Sequence, residues 1–132
     1  MGLDVTHDAW SGAYSAFMRW REHVAEKAGL PPLRSMEGFQ GAFDPNATKN
    51  PTAWDSIDAA PALKVLLMHS DCEGDIAIEH LVPLADELER LAAMMADEGT
   101  TGHIRVGMRA TTLQFAAGCR RAAEAGEDLR FW

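Results

Sequence analysis

The sequence predicts an all-α protein, a small bundle of about four helices with one long loop. Apolar residues recur every three to four positions along several segments, which is the spacing of a buried helix face. Glycine and proline mark the ends of these segments. No convincing pair of segments alternates apolar and polar residues as adjacent strands would, so we expect no sheet.

The first helix is predicted over residues 8–27, with Thr6 or Asp8 as the N-cap and Gly29 at the end. Its apolar stripe at 100° per residue consists of Trp10, Ala13, Tyr14, Phe17, Trp20, Val24 and Ala28. Arg21 falls inside this stripe, so its guanidinium must reach water along its aliphatic stem or meet a buried carboxylate or a ligand anion. We favour the route to water.

Residues 30–60 are rich in Pro, Gly, Asn and Asp and predict a long loop, which is either functional or at least packed down by its own aromatic side chains. A second helix starts at Pro61. A third covers residues 80–97, and Pro83 either sits near its first position or kinks a helix that begins nearer Ile78. A fourth covers residues 104–125 and ends at Gly126, after which the tail DLRFW docks back as a short extended piece. The predicted shared core is Trp10, Phe17, Trp20, Leu66, Leu81, Leu88, Leu91, Met108 and Phe115.

Composition limits the classes of function. With 132 residues, 47% of them hydrophobic, the chain suits one domain over residues 1–132. Its net charge of −8 argues against general binding to nucleic acid or to an anionic membrane. No segment has the length of a membrane span or the pattern of a secretory signal. The two cysteines, Cys72 and Cys119, lie far apart, so we expect no disulfide and a reducing cytoplasm.

The stretch HSDCEGDIAIEH, residues 69–80, resembles the calcium-binding loop of the EF-hand. Gly74 and Ile76 match the turn glycine and the apolar residue of such loops, but His69 and His80 replace the first and last carboxylates. The resemblance implies a helix–loop–helix with Gly74 in a backbone conformation that favours glycine, and calcium binding near the millimolar end of the range. The candidate metal ligands are His69, Asp71, Glu73 and Asp75.

Zinc is a second possibility for this loop, because His69 and Cys72 have the spacing of a half-site that His80 or His7 would complete. A catalytic Cys72 with His69 as base is disfavoured, since the neighbouring acidic residues oppose the thiolate. We favour a fourth interpretation, in which the loop is a structural corner without a tightly bound ion. No resident cofactor is therefore expected, apart from weak calcium or zinc.

The fourth helix suggests an anion-binding face. On a helical wheel Arg105, Arg109 and Arg120 lie within about 60° of one another, and guanidinium groups suit carboxylates and phosphates. The alternative is salt bridging to the acidic third helix, which we favour because exposed helix faces usually carry charge. Together with Arg21, these three arginines are the candidate ligand-binding residues.

Three blocks of the chain, GLDVTHDAWSGAYSAFMRWR, HSDCEGDI and FAAGCRRAAEAGEDLRF, resemble a group of small uncharacterised proteins of tailed phages and prophages. The blocks cover about half the chain and occur in the same order. The resemblance implies a bacterial cytoplasm and an accessory role, such as interference with a host defence or regulatory protein. It assigns no role to any residue.

The leading hypothesis is a small non-enzymatic phage-type protein that binds a host protein or sequesters an anionic small molecule. One alternative is a metal-binding domain built on the EF-hand-like loop. Another is a metal-dependent hydrolase that uses His7, Asp8, His69 and Asp71.

Overall fold

The computed structural model describes residues 2–33, 36, 53–56, 61–69, 74–95 and 107–132, which form a mixed α/β structure. The predicted all-α class is therefore wrong, because a four-stranded antiparallel sheet accompanies the four helices of the described residues. In chain order the elements are β1 (Gly2–Val5), β2 (Trp10–Ala13), α1 (Tyr14–Lys27), a 3₁₀ turn (Trp54–Ser56), α2 (Pro61–Leu67), β3 (Gly74–Ile76), α3 (Ile78–Ala92), α4 (Met108–Ala125) and β4 (Leu129–Phe131).

The sheet joins the two ends of the described chain. Its strand order is β2-β1-β4-β3, with every neighbouring pair antiparallel. Asp4 in β1 exchanges both of its backbone hydrogen bonds with Trp132, each at 3.0 Å. Alternate side chains of the strands are buried on one face of the sheet: Leu3, Val5, Ile76, Leu129 and Phe131. β2 and β3 are the edge strands.

The strands escaped the sequence analysis because each is only three or four residues long, too short to establish an alternation. Trp10 and Ala13 fit the helical spacing as well, yet they belong to β2, and α1 begins only at Tyr14. The tail was predicted correctly as an extended piece, since Leu129–Phe131 is β4.

The predicted helices and core are mostly confirmed, but α3 ends at Ala92 rather than at 97, and α4 begins at Met108 rather than at 104. Of the nine predicted core residues, eight are buried and Met108 packs partly buried against the same cluster. Gly126 ends α4 with φ +71°, a left-handed conformation that favours glycine. Pro83 lies inside α3, which begins at Ile78, so the second of its two predicted placements is correct.

Two other predictions fall partly on residues that the structure does not describe. Trp54, from the predicted loop 30–60, is buried, whereas residues 34–35, 37–52 and 57–60 lie outside the description. The start of the predicted fourth helix, residues 104–106, also lies outside it. Among the described helices, none is both long enough and apolar enough to span a membrane.

Candidate functional site

A cavity of about 350 Å³ lies where β2 meets the beginnings of α1 and α4, and we call it the Trp10 cavity. This volume is within the range of roughly 300–1,000 Å³ that is usual for small-ligand sites. All four residues of β2 contribute to its wall. The described residues that line it are Trp10, Ser11, Gly12, Ala13, Ala16, Arg19, Trp20, Met108, Thr111 and Gln114.

Trp10 carries a buried hydrogen-bond donor that nothing in the described chain satisfies. Its side chain is 9% exposed, and its indole stacks on Trp20 with ring centroids 5.7 Å apart. The Trp20 Nε1 donates to Thr112 Oγ1 at 2.9 Å, but the Trp10 Nε1 is buried with no acceptor among the described residues. An unmet buried N–H costs about 1–3 kcal/mol, so an acceptor brought by a ligand would be stabilised there.

Two helix N-termini contribute to the same cavity. The N-cap residues Ala13 of α1 and Gly107 of α4 make no side-chain capping hydrogen bond, and neither helix has an acidic residue in its first turn. Ala16 of α1 and Thr111 of α4 both line the cavity. Because the first N–H groups of a helix lack intrahelical acceptors and carry a partial positive charge, this arrangement favours an anion.

Arg19 supplies a full positive charge at the exposed rim of the cavity. No carboxylate in the described part of the chain forms an ion pair with it. The other polar lining groups already donate elsewhere: Ser11 to Asp4 Oδ1 at 2.8 Å, Thr111 to Gly107 O at 3.2 Å and Gln114 to Asp8 O at 2.9 Å. Each keeps an oxygen that can accept a hydrogen bond.

Titratable side chains are rare among the described residues that line the cavity. The lining residues within the described part of the chain include no His, Cys, Asp, Glu or Lys. None of them can therefore exchange a proton near neutral pH as a general base does. What the cavity offers instead is one buried donor, one guanidinium and apolar walls.

A strained turn holds β2 in place beside this cavity. His7 and Asp8, between β1 and β2, have φ of 60° and 57°, and the Ala9 N–H donates to Thr6 O at 3.2 Å. Such left-handed conformations cost roughly 1–2 kcal/mol per non-glycine residue. Arg121 donates to the His7 carbonyl, and Gln114 to that of Asp8, so α4 stabilises the turn.

The EF-hand-like loop is described only in part, because Asp71, Cys72 and Glu73 lie outside the described residues. Gly74 has φ +114°, which confirms its predicted glycine-favouring conformation. His69 Nε2 lies 3.1 Å from the carbonyl oxygen of Asp75, the position at which an EF-hand loop offers a backbone ligand, and the His69 ring stacks on Phe131. The Asp75 carbonyl oxygen is therefore already within hydrogen-bonding distance of the His69 ring.

No group of three or more His, Cys, Asp or Glu side chains within the described ranges is placed to hold a metal ion. His7 Nε2 lies 2.8 Å from Glu127 Oε1, so its described carboxylate partner is neither of the acidic residues in the hydrolase hypothesis. Calcium, zinc and the hydrolase remain predictions, since the loop between His69 and Gly74 is not described.

The predicted arginine face is divided by the structure. Arg120 donates to Glu89 at 2.8 Å and to Asp86 at 2.6 Å, which is the salt-bridge alternative. These bonds lower the pKa of Glu89 and raise that of Arg120. Arg109, eleven residues earlier on α4, is about 16 Å away along the helix axis. Arg105 lies outside the described residues, so an anion held by Arg105 and Arg109 remains a prediction.

Arg21 caps a helix rather than reaching water. It is 2% exposed, and its Nη1 donates to His69 O at 2.6 Å and to the carbonyls of Leu66 and Leu67 at 3.4 Å. Its guanidinium also lies 4.7 Å from the centroid of the Phe17 ring. These carbonyls form the negative end of α2, where a cation is stabilised. The route to water that the sequence favoured is therefore wrong.

Sequence reasoning found Trp10 only as a core residue and did not single out Arg19. The sequence has no motif that links Trp10 with Arg19, nine positions later, since this spacing does not place two residues on one helix face. The unmet donor at Trp10 depends on which neighbours the fold provides, so the sequence alone does not reveal it.

No family model matches the chain, and no curated protein or solved structure shows significant similarity to it.

Proposed function

We propose that this protein is a non-enzymatic accessory protein of phage or prophage type that acts by binding through the Trp10 cavity. It binds a host protein or sequesters an anionic small molecule in the host bacterial cytoplasm, in a role such as defence evasion. The observation that carries the proposal is the buried Trp10 Nε1, which has no acceptor among the described residues although Trp20 beside it is satisfied. The phage origin rests on the three resembling sequence blocks alone.

The charge distribution supports an anionic ligand. The chain as a whole has a net charge of −8, yet the cavity is lined by Arg19 and by the first turns of two helices without side-chain caps. The nearby positive groups attract an anion at short range. The repulsion from the distant acidic residues is weak, because salt screens interactions between separated charges. The apolar walls, among them Trp20 and Met108, suit an apolar body next to that group.

The test is differential scanning fluorimetry of the wild type and Trp10→Phe with benzoate, indole-3-acetate and a mixed pentapeptide library with free carboxyl ends. Trp10→Phe keeps an aromatic ring and removes only the indole donor and part of the ring area. We expect at least one probe to raise the melting temperature of the wild type, since a ligand at 100 times its Kd adds about 2.7 kcal/mol. The same probe should raise that of Trp10→Phe much less.

Trp132→Phe is the matched control, because Trp132 is 60% exposed and is not part of the cavity. It should respond to the probe as the wild type does. If no probe stabilises the wild type, or if Trp10→Phe responds equally, the cavity is not the binding site.

A further inference from the structure

We infer that the group bound in the Trp10 cavity is the carboxyl-terminal segment of a partner protein, added as a strand to the free edge of β2. This inference rests on the proposed function and chooses, between its two ligand classes, a protein segment over a small molecule. The features that favour it are an open strand edge, a cavity that runs along that edge, and a positive site at its end.

Within the described part of the chain, the outer edge of β2 presents unpaired backbone groups. In antiparallel strands, hydrogen-bonded and non-hydrogen-bonded residue pairs alternate. Asp4 uses its N–H and C=O on Trp132, so its opposite residue Ser11 forms a non-hydrogen-bonded pair, and so does Ala13 opposite Gly2. The N–H groups of Ser11 and Ala13 therefore point away from β1, and both residues are exposed. An unpaired edge of this kind is a template for another strand.

The cavity gives such a strand a place for a side chain. Side chains on the inner face of β2 come from Trp10 and Gly12, and Gly12 leaves open the space that a larger residue would fill. A Cβ at Gly12 would lie 3.5 Å from the Trp10 ring, in ordinary contact. A residue on an added strand opposite Gly12 would project its side chain onto that ring, as cross-strand neighbours of glycine do.

The positive groups indicate which end of the peptide lies where. β2 leads directly into α1, so the uncapped first turn of α1 is at the Ala13 end of the free edge. Arg19 is about one and a half turns further along α1 and also lines the cavity. A terminal carboxylate at this end would meet the guanidinium and the helix N–H groups. The added strand would accordingly run parallel to β2.

Ala13→Pro tests the strand addition without disturbing the fold. Ala13 has φ −68° and ψ 146°, which proline adopts without strain, and its N–H points to the free edge rather than to β1. The variant should fold and lose one donor to the added strand. Ala77→Pro is the matched control, because Ala77 is the N-cap of α3 with φ −62° and ψ 142° and does not line the cavity. Arg19→Gln tests the carboxylate, with Lys27→Gln on the same helix as its control.

The probe is an array of random pentapeptides immobilised by their amino ends, prepared once with free carboxyl ends and once as amides. We expect the wild type to bind a subset of the free-carboxyl peptides about tenfold or more tightly than their amides, the effect of one lost charge-assisted bond. Ala13→Pro and Arg19→Gln should each weaken this binding by a similar factor. Ala77→Pro and Lys27→Gln should bind as the wild type does.

Three results would overturn the inference. Equal binding of peptide amides and free acids would show that the terminal carboxylate does not contribute to binding. Equal binding by Ala13→Pro and wild type would show that the peptide does not add as a strand to β2. If benzoate or indole-3-acetate still stabilised the protein in a way that depends on Trp10, the proposed function would hold without this inference. A dimer in light scattering that Ala13→Pro dissociates, with no peptide bound, would assign the edge to a second copy of this chain.

Discussion

Replacing Gly118 by Ala should destabilise the protein, although alanine is the better helix former. Gly118 is in the middle of α4, and a Cβ there would lie 2.4 Å from the Cβ of Ala9 and 2.7 Å from its Cα. Real Cβ atoms do not approach backbone so closely, and Ala9 cannot retreat by rotating a side chain. The whole turn between β1 and β2 would have to move away from α4.

The expected size follows from two opposing effects. In a helix interior, glycine to alanine gains about 1 kcal/mol. Overpacking costs about 1–3 kcal/mol, and moving the turn weakens the bonds from Arg121 to His7 O and from Gln114 to Asp8 O, each worth about 0.5–1.5 kcal/mol. The net loss is therefore about 1–5 kcal/mol, and the melting temperature should fall by about 4 °C per kcal/mol for a chain of this size.

The assay is urea denaturation followed by tryptophan fluorescence, which gives the free energy of unfolding and its denaturant slope. The double variant Gly118→Ala, Ala9→Gly removes the contact between the two Cβ atoms but leaves the approach to the Ala9 Cα, so it should recover part of the loss. If Gly118→Ala is instead more stable than the wild type by about 0.5–1 kcal/mol, the turn does not rest on α4 and the geometry of the cavity wall is wrong.

Three further outcomes test other parts of the structure. Asp128→Ala should lower the free energy of unfolding by about 0.5–2 kcal/mol, because Asp128 Oδ1 accepts from the Ile78 N–H at 2.8 Å and caps α3, and urea denaturation measures this. Burial raises the pKa of the Cys119 thiol to about 12, so peptide mapping after iodoacetamide at pH 8 should find Cys119 unmodified in the folded protein and modified in urea. The hydrogen bond from Arg120 lowers the pKa of Glu89, so this pair stabilises the fold above the unfolded-state pKa of a glutamate, about 4.3. The difference in melting temperature between wild type and Arg120→Gln should accordingly be present at pH 7 and shrink as the pH falls below about 4.3 and through the lowered pKa of folded Glu89. A difference independent of pH would contradict the ion pair.

The helices were the predictable part of the fold. α3 carries a regular stripe of buried leucines over four turns, among them Leu81, Leu84 and Leu88. Such a stripe identifies both the helical period and the side of the helix that faces the core. Gly126 ends α4 as predicted, and Pro83 lies inside α3. Both residues are informative in a sequence, because glycine extends and proline restricts the allowed backbone dihedral angles.

The sheet was not predictable, since its strands are stabilised by partners far away in the chain. Val5 pairs with Phe131, and Ile76 with Leu129, so no window of local sequence contains both sides of a ladder. Residues 10–13 fitted a helical period by coincidence. The turn at His7 and Asp8 has positive φ without a glycine, so the sequence did not indicate it.

The candidate site shows the same division between sequence and tertiary structure. By itself the sequence determined the acidic balance, the positions of the helical cores and the amphipathic character of Arg21, because composition and period are properties of neighbouring residues. Only the tertiary structure decided that Arg21 caps α2 and that Arg120 is neutralised by α3. It also decided that the Trp10 N–H, in the cavity that Arg19 lines as well, has no acceptor among the described residues. Whether a polar atom is satisfied depends on which distant groups the fold brings within about 3 Å, and that distance is set by the packing of all the elements together.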